Sequence, residues 1–576
     1  MLANAPFPRH HRHRQHHSII AATRYRHLYH RWEFWGDGDS DNNRDGYRVR
    51  VNPKKKKKKE EKRKPKPSMF HLLLLFLILD SCGAIELATR NSLYGKHHKR
   101  LPVSSPKPPD RDTPGSKNCT TRWFTQPIDH FSWAGTPTGA LTYEQRYLTY
   151  DKFWRNDSTG MVFFYVGNEG DVTLYADHTG LMWENAAAEG AYIVFAEHRY
   201  YGSSQPFGSA SSLWLEYLTH EQALADYAAI IFSLQAELGA GAQPVVVFGG
   251  SYGGKLAAWM RIKYPGVIAG AVAASAPVLF FEGTTPDPGN FEQFWQVVTR
   301  DMQPYAGSAA SCAPNVRAAW DAIDAAATQD MGRLSTLFQL CTPLATPDDI
   351  YALKIMHLNA WDSCAMGDFP YPSNYLTGGG PLLPAFPVRS MCEFLSNETL
   401  PSDPWALLEA FNAAGNVFNN ATQNIECYVL PTDLWLDGIW DYQYCTETLP
   451  EETYFTRDGV HDAFWPVDAF NKSAIEARCF DKFGVKPRWT WIREQYGGVR
   501  GATNVVWTNG DYDPWSAGGV LPNSTHDTPS TPAFLISEGA HREFLSPAFP
   551  KGVVKRPNYL LIHHTPTSHS MTHFRP

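Results

Sequence analysis

Several things are scarce in this 576-residue chain. The apolar run Leu72–Leu79 falls well short of the roughly 20 residues that cross a bilayer, so no stable membrane span is expected. Charged residues make up only 19%. The basic ones crowd into the first 68 positions, so the remainder is more acidic than the net charge of −6 suggests. That distribution argues against nucleic acid as the main partner. Cysteine is sparse, at nine residues. Cys82 falls at the end of an apparent export signal, and the even number left over suits disulfides in an exported chain. The length is too great for a single compact core, so two domains are expected.

What is present begins with a basic N-terminus. Residues 1–68 carry His10, His11, His13, His16, His17 and the run Lys54–Lys59. They read as a disordered extension or as sequence upstream of the true start, rather than as a nuclear-localisation or metal-binding tract. Met69 opens a signal peptide over 69–84, with small residues Ser81–Ala84 for cleavage; a retained signal anchor is the alternative. A Pro-, Lys- and Ser-rich linker or propeptide covers 85–118. Six glycosylation sequons follow, at Asn118, Asn156, Asn397, Asn420, Asn471 and Asn523. All lie after the signal, in agreement with passage through the secretory pathway towards a lysosome, a vacuole or the exterior.

The organising stretch is Val245–Pro265. An apolar run to Phe248 meets Gly249, Gly250, Ser251, Tyr252, Gly253 and Gly254, and an amphipathic segment follows. This predicts a buried strand, a very tight turn and a helix, with the Gly249-x-Ser251-x-Gly253 spacing of a nucleophile elbow. The bland reading is a glycine-rich turn whose serine caps the helix. Further buried strands are expected at 161–166, 192–196 and 268–273, and strand-helix alternation here predicts a mostly parallel sheet. Trp123–Phe131 and Leu141–Tyr150 read as additional strands. From about Phe281 to Cys479 the alternation stops, helices with Pro/Gly-rich connections take over, and seven cysteines fall there. This stretch reads as a mainly helical domain inserted into an α/β domain made of 119–280 and 480–545, with an irregular tail over 546–576. Strand signals return at Asn504–Thr508 and Ala533–Ile536.

A serine hydroxyl needs a histidine to accept its proton and a carboxylate to orient that histidine. In an α/β-hydrolase the order is nucleophile, acid, histidine, each on a loop after a strand. Asp511 and Asp513 follow one late strand, and spacing does not separate them. His541 follows the last strand; His526, His563 and His564 do not, so His541 is preferred.

Four motifs, Gly249-Gly250-Ser251-Tyr252-Gly253-Gly254, Glu197-His198-Arg199-Tyr200-Tyr201-Gly202, Gly167-Asn168-Glu169-Gly170 and Asp513-Pro514-Trp515-Ser516, together resemble the lysosomal Pro-X carboxypeptidase / dipeptidyl peptidase II family of serine peptidases. Tyr217-Leu218-Thr219, Glu221–Asp226 and Tyr442–Glu447 strengthen the match, which runs from about Trp123 to Leu545. The resemblance implies an α/β-hydrolase fold with an inserted mainly helical cap. It implies Ser251 as nucleophile, Asp513 as acid and His541 as base. The amide of Tyr252 would form one arm of an oxyanion hole, and the Gly167–Gly170 loop the other. It implies proline-containing peptide substrates, no metal and no cofactor, and it leaves a homodimer open. The expected chemistry is removal of a C-terminal residue after proline or of an N-terminal X-Pro dipeptide, with general similarity favouring the former. Glu169 is a candidate for binding a free amine; Trp440, Tyr442, Gln443 and Trp515 are candidates for contacting substrate. By the same resemblance Cys312–Cys392, Cys341–Cys427 and Cys445–Cys479 pair, leaving Cys119 and Cys364 joined or free. Arg542 stands where the family commonly has a second histidine, and the Pro- and His-rich tail lacks the expected final helix. Those departures keep a catalytically inactive interaction module in view, and an esterase on the same triad is a third possibility.

Overall fold

The continuous apolar runs become the inner strands of one eight-stranded sheet. This computed structural model describes residues 114–546 other than 158, 240, 242, 282–292, 431–437, 449–456 and 468–470. The expected N-terminal extension, the signal peptide, most of the linker, and the tail with His563 and His564 lie outside the described residues.

The strands are β1 (Thr120–Pro127), β2 (Thr142–Tyr150), β3 (Val162–Tyr165), β4 (Tyr192–Ala196), β5 (Val245–Gly250), β6 (Gly270–Ala274), β7 (Val505–Gly510) and β8 (Ala533–Ile536), in spatial order β1-β2-β4-β3-β5-β6-β7-β8. The β1–β2 and β2–β4 pairs are antiparallel and the rest are parallel. Every residue of β3, β4, β5 and β6 is buried, because helices cover both faces of the parallel part. On one face lie α1 (Val172–His178) and α2 (Gly180–Glu189); on the other lie α3 (His220–Leu238) and α4 (Tyr252–Lys263).

Between β6 and β7 run the helices of the insertion, α5 (Gln293–Asp301), α6 (Cys312–Gln329), α7 (Met331–Leu337), α8 (Pro347–Met366), α9 (Pro387–Phe394), α10 (Pro404–Asn419), α11 (Ile439–Gln443) and α12 (Lys472–Phe483), and then α13 (Trp491–Tyr496), which packs into the core of the sheet. Helices α5 to α10 surround their own apolar core, with Trp320, Trp361 and Phe411 at its centre. The helix starts are written locally. Thr346 and Asp349 form a reciprocal capping box ahead of α8, and Asp403 caps α10 with Pro404 in its first turn. Disulfides Cys312–Cys392 and Cys341–Cys427 cross-link this core, and Cys445–Cys479 ties α12 to the segment after α11. Each closes a loop of the size for which about 2–4 kcal/mol of stabilisation is typical. Cys119 and Cys364 are both free, the first half-buried and the second buried. The sequon asparagines Asn118, Asn156, Asn397, Asn471 and Asn523 are exposed, and Asn420 is half-buried. No helix among the described residues is long and apolar enough to cross a membrane.

The insertion also buries an uncompensated base. His357 of α8 is completely buried between the rings of Phe338 and Phe411, each 5.0 Å away, and neither ring nitrogen has a hydrogen-bond partner. Burial lowers its pKa to about 3. The unfolded chain takes up this proton below about 6.5, whereas the folded chain does so only near 3, so stability falls as pH drops through that window. We expect His357→Leu to reduce the loss of unfolding free energy between pH 7 and pH 4.5 by about 2–3 kcal/mol, read from urea melts of both proteins at the two pH values.

Candidate active site

Ser251 lies between β5 and α4 with φ 61° and ψ −129°, a conformation costly for a residue with a side chain. Its amide is held by the Ala274 carbonyl at 2.9 Å, which fixes the turn to the end of β6. The flanking glycines are required by contact. A Cβ at Gly249 would run into the Gly253 carbonyl, one at Gly253 into the Asn168 side chain, and one at Gly250 into the Arg542 guanidinium. Tyr252 begins α4, so its backbone N–H is one of the orphan donors at the positive end of that helix.

Asp513 and His541 come from the loops after β7 and β8, both at the C-terminal edge of the parallel sheet. Both side chains are buried, and His541 Nδ1 lies 2.9 Å from each oxygen of Asp513. An ionised carboxylate only accepts, so Nδ1 carries the proton and Nε2 is left as an acceptor. The Trp515 amide also donates to Asp513 Oδ1 at 3.0 Å, and the His541 amide donates to the Met366 carbonyl at 3.1 Å. Asp511 faces elsewhere and accepts from the Tyr305 hydroxyl at 2.5 Å. Tertiary contacts thus separate two aspartates that spacing could not. His526, half-buried, stands in a loop before β8.

The Gly167–Gly170 loop packs on the elbow. A Cβ at Gly167 would meet the Ala196 carbonyl at 2.5 Å, and the Gly167 carbonyl accepts from the Tyr227 hydroxyl at 3.1 Å. Asn168 is fully buried; its amide donates to the Gly250 carbonyl at 2.6 Å while its oxygen accepts from the Tyr165 hydroxyl at 2.9 Å. Glu169 is half-buried, burial raises its carboxyl pKa, and it interacts electrostatically with Lys255, Arg542 and His541. Its Oε2 has no hydrogen-bond partner.

The remaining candidates divide. Trp440 meets the Tyr252 ring edge-on at 5.2 Å. Tyr442 packs at right angles on Phe483. Trp515 joins the core of the insertion against Phe280 and Phe294, with its ring 6.5 Å from that of His541. Gln443 is completely buried: its amide donates to the Tyr252 hydroxyl at 3.0 Å, and its oxygen accepts from Tyr201 at 2.5 Å. Tyr252 in turn contacts His198 Nε2 at 3.1 Å. Burial lowers the His198 pKa to about 4, and its Nδ1 donates to the Arg199 carbonyl at 2.7 Å, which leaves Nε2 to accept from Tyr252.

Sequence reasoning did not single out Ser275 or the environment of Arg542. Ser275 Oγ accepts from the Arg542 amide at 2.8 Å and so joins the loops after β6 and β8. The buried Arg542 guanidinium donates to the hydroxyls of Tyr165 and Tyr375 and lies among the rings of Tyr165, Tyr175 and Tyr375. Neither residue has a local sequence signal, since each gains its meaning from partners far along the chain. The geometry makes Asn168 the brace of the elbow. We expect Asn168→Ala to lower unfolding free energy by about 1–3 kcal/mol, because it takes the Asn168 donor from the buried Gly250 carbonyl and the acceptor from the Tyr165 O–H, with thermal melts as the check.

The arrangement is that of a serine hydrolase, and known proteins agree with it. A profile of the serine carboxypeptidase S28 family matches residues 126–555. The lysosomal Pro-X carboxypeptidase of Homo sapiens is 41% identical over 438 residues, covering 74% of this chain and 83% of that protein. The Mus musculus lysosomal Pro-X carboxypeptidase is 37% identical over 484 residues, covering 82% and 91%. The thymus-specific serine protease of Mus musculus is 29% identical over 457 residues, covering 74% and 83%. With most of its length matched and an α/β sheet that carries serine, aspartate and histidine on the loops after β5, β7 and β8, this chain belongs to the serine carboxypeptidase S28 family of serine-type exopeptidases.

Proposed function

We propose that this protein removes the residue that follows a penultimate proline from the C-terminus of peptides, with Ser251 as nucleophile, His541 as general base and Asp513 as its orienting acid. The observation that carries the reading is the His541–Asp513 contact at 2.9 Å, which leaves Nε2 as an acceptor on the loop whose next residue, Arg542, packs on Gly250 of the elbow. Ser251 Oγ attacks the proline carbonyl carbon while His541 Nε2 takes the hydroxyl proton. The oxyanion is met by the Tyr252 amide, with the Gly167–Gly170 loop as the second arm. The intermediate collapses, the C–N bond breaks, and His541 returns the proton to the departing amine. Water then attacks the acyl-enzyme, gives its proton to His541, and releases the peptide acid and free Ser251. Aromatic groups of both parts of the chain, Trp440 and Trp515 among them, suit a rigid apolar pocket for the proline ring. Disulfides fit maturation in the secretory pathway, and a lysosomal or vacuolar destination is part of the proposal.

One observation favours a second reading. The Glu169 carboxyl beside the site has an oxygen without a hydrogen-bond partner, which suits the free amine of a peptide N-terminus and release of an X-Pro dipeptide.

Mass spectrometry of two peptides, one ending in Pro-Phe and one beginning with Lys-Pro, decides between them at acidic and neutral pH. Loss of the terminal Phe is expected, abolished in Ser251→Ala; release of Lys-Pro would establish the second reading instead. Absence of both cleavages and of fluorophosphonate labelling in folded protein would leave an inactive module. A separate expectation concerns the acid: Asp513→Asn should lower kcat by about 10⁴-fold through the wrong imidazole tautomer, whereas Asp511→Asn should change it little.

A further inference from the structure

A buried cluster of charge lies outside the reacting groups. His220, the first residue of α3, is fully buried, with Nδ1 3.0 Å from Glu447 Oε2 and Nε2 3.1 Å from Glu221 Oε1. Its ring rests against Trp259 of α4 at 5.0 Å and Tyr496 of α13 at 5.5 Å. Glu447 is buried too, and its Oε2 also accepts the His220 backbone amide at 2.9 Å. Both carboxylates approach off the axis of the ring N–H bonds, so the attraction is that of ion pairs rather than in-line hydrogen bonds. With a neutral ring, two carboxylates would face each other in a buried space without a cation, and an uncompensated buried charge is costly. Burial alone would lower the His220 pKa, but Glu447 and Glu221 raise it to about 10. The same three side chains form a cluster of metal-ligating type. The carboxylates lie against different ring nitrogens, however, at 3.1 and 3.0 Å, an arrangement that suits a ring carrying a proton on each nitrogen.

The cluster connects to the elbow through a short path. Glu447 lies in a single π-helical turn, Tyr444–Thr448, that continues directly from α11. Gln443, the last residue of α11, donates to the Tyr252 hydroxyl at 3.0 Å. Tyr252 is the residue whose amide follows Ser251. The disulfide at Cys445 holds the other side of the turn to α12.

We propose that His220 is a positioning residue: as an imidazolium between Glu221 and Glu447 it clamps the turn Tyr444–Thr448 to the start of α3, and thereby holds Gln443 on Tyr252 and the oxyanion-binding amide in place. This rests on the assignment of Ser251 and Tyr252 above. The test compares wild type, His220→Gln and the double variant His220→Gln/Glu447→Gln, each checked for folding by circular dichroism. The readouts are kcat and KM on a Pro-Phe peptide, the rate of fluorophosphonate labelling, and metal content. His220→Gln is expected to lower kcat and labelling about tenfold, because small displacements of an oriented group are enough to do so, with KM within about twofold of wild type. The double variant, which also removes the surplus negative charge, is expected to recover most of that loss. A folded His220→Gln with unchanged kcat overturns the proposal, as does a change confined to KM. If His220→Gln does not fold, the double variant carries the test: near-wild-type kcat supports the clamp, and failure to fold or a tenfold loss overturns it. One equivalent of bound metal in wild type, absent from the folded variants, also overturns it. A wild type that fluorophosphonate never labels removes the Ser251 assignment and this role with it, whereas labelling unchanged across the folded variants removes this role alone.

Discussion

The backbone of Ser251 is the constraint on which the rest of the site depends. A side-chain-bearing residue at φ 61° is tolerated only when its surroundings over-determine it. Here the surroundings are specific. The Ala274 carbonyl holds the serine amide, Asn168 holds the Gly250 carbonyl, and the glycines let α4, the Asn168 loop and Arg542 approach within van der Waals distance of the turn. The strain at the elbow is balanced by contacts from the end of β6 and from the loops after β3 and β8, so the nucleophile is aimed by its neighbours across the sheet rather than by its own turn.

A second layer of order comes from buried polar groups that pair over long sequence distances. Arg199 makes a two-point contact with Asp226 at 2.7 Å, and it donates to the carbonyls of Ile128 and Tyr217 as well. Asp226 also accepts from His130 and from the Tyr143 hydroxyl. Glu197 gathers Arg146, Ser203, Ser204 and Val172. Truncating one partner of such a pair leaves an unpaired buried charge, which typically costs about 3–5 kcal/mol. The motif from Glu197 to Gly202 therefore serves the architecture around the site. His198, Tyr252 and Gln443 extend the same logic from the α/β domain into the insertion, so that the two parts of the chain share one hydrogen-bonded surface behind the nucleophile.

Much of this was legible in one dimension. Runs such as Val245–Phe248 and Tyr192–Ala196 announce strands covered on both faces, because only such strands can be apolar at every position. The helical insertion shows itself where that pattern stops at about Phe281 and returns at Asn504. The elbow is legible because glycine, serine and glycine at that spacing answer a steric demand that is itself local. Less was legible about contacts. The partners of Gln443 and Trp515 were not legible: the first bonds Tyr252 and Tyr201, and the second packs against the core of the insertion with its ring 6.5 Å from that of His541. His357 gives no sign in the sequence that it is buried without a partner.

The sequence by itself determined the strands, the helix starts, the strained turn and the order in which serine, acid and histidine occur, since these follow from local sterics, capping and hydrophobic period. Only the tertiary structure decided that both oxygens of Asp513 meet His541 Nδ1 while Asp511 turns to Tyr305, that Arg542 lies among three tyrosine rings beneath Gly250, and that His220 sits between two carboxylates 227 and 1 positions away. Such pairings are set by packing of segments distant along the chain. They are energetically decisive because burial removes water as the competing partner, and no local pattern of residues encodes which group will take its place.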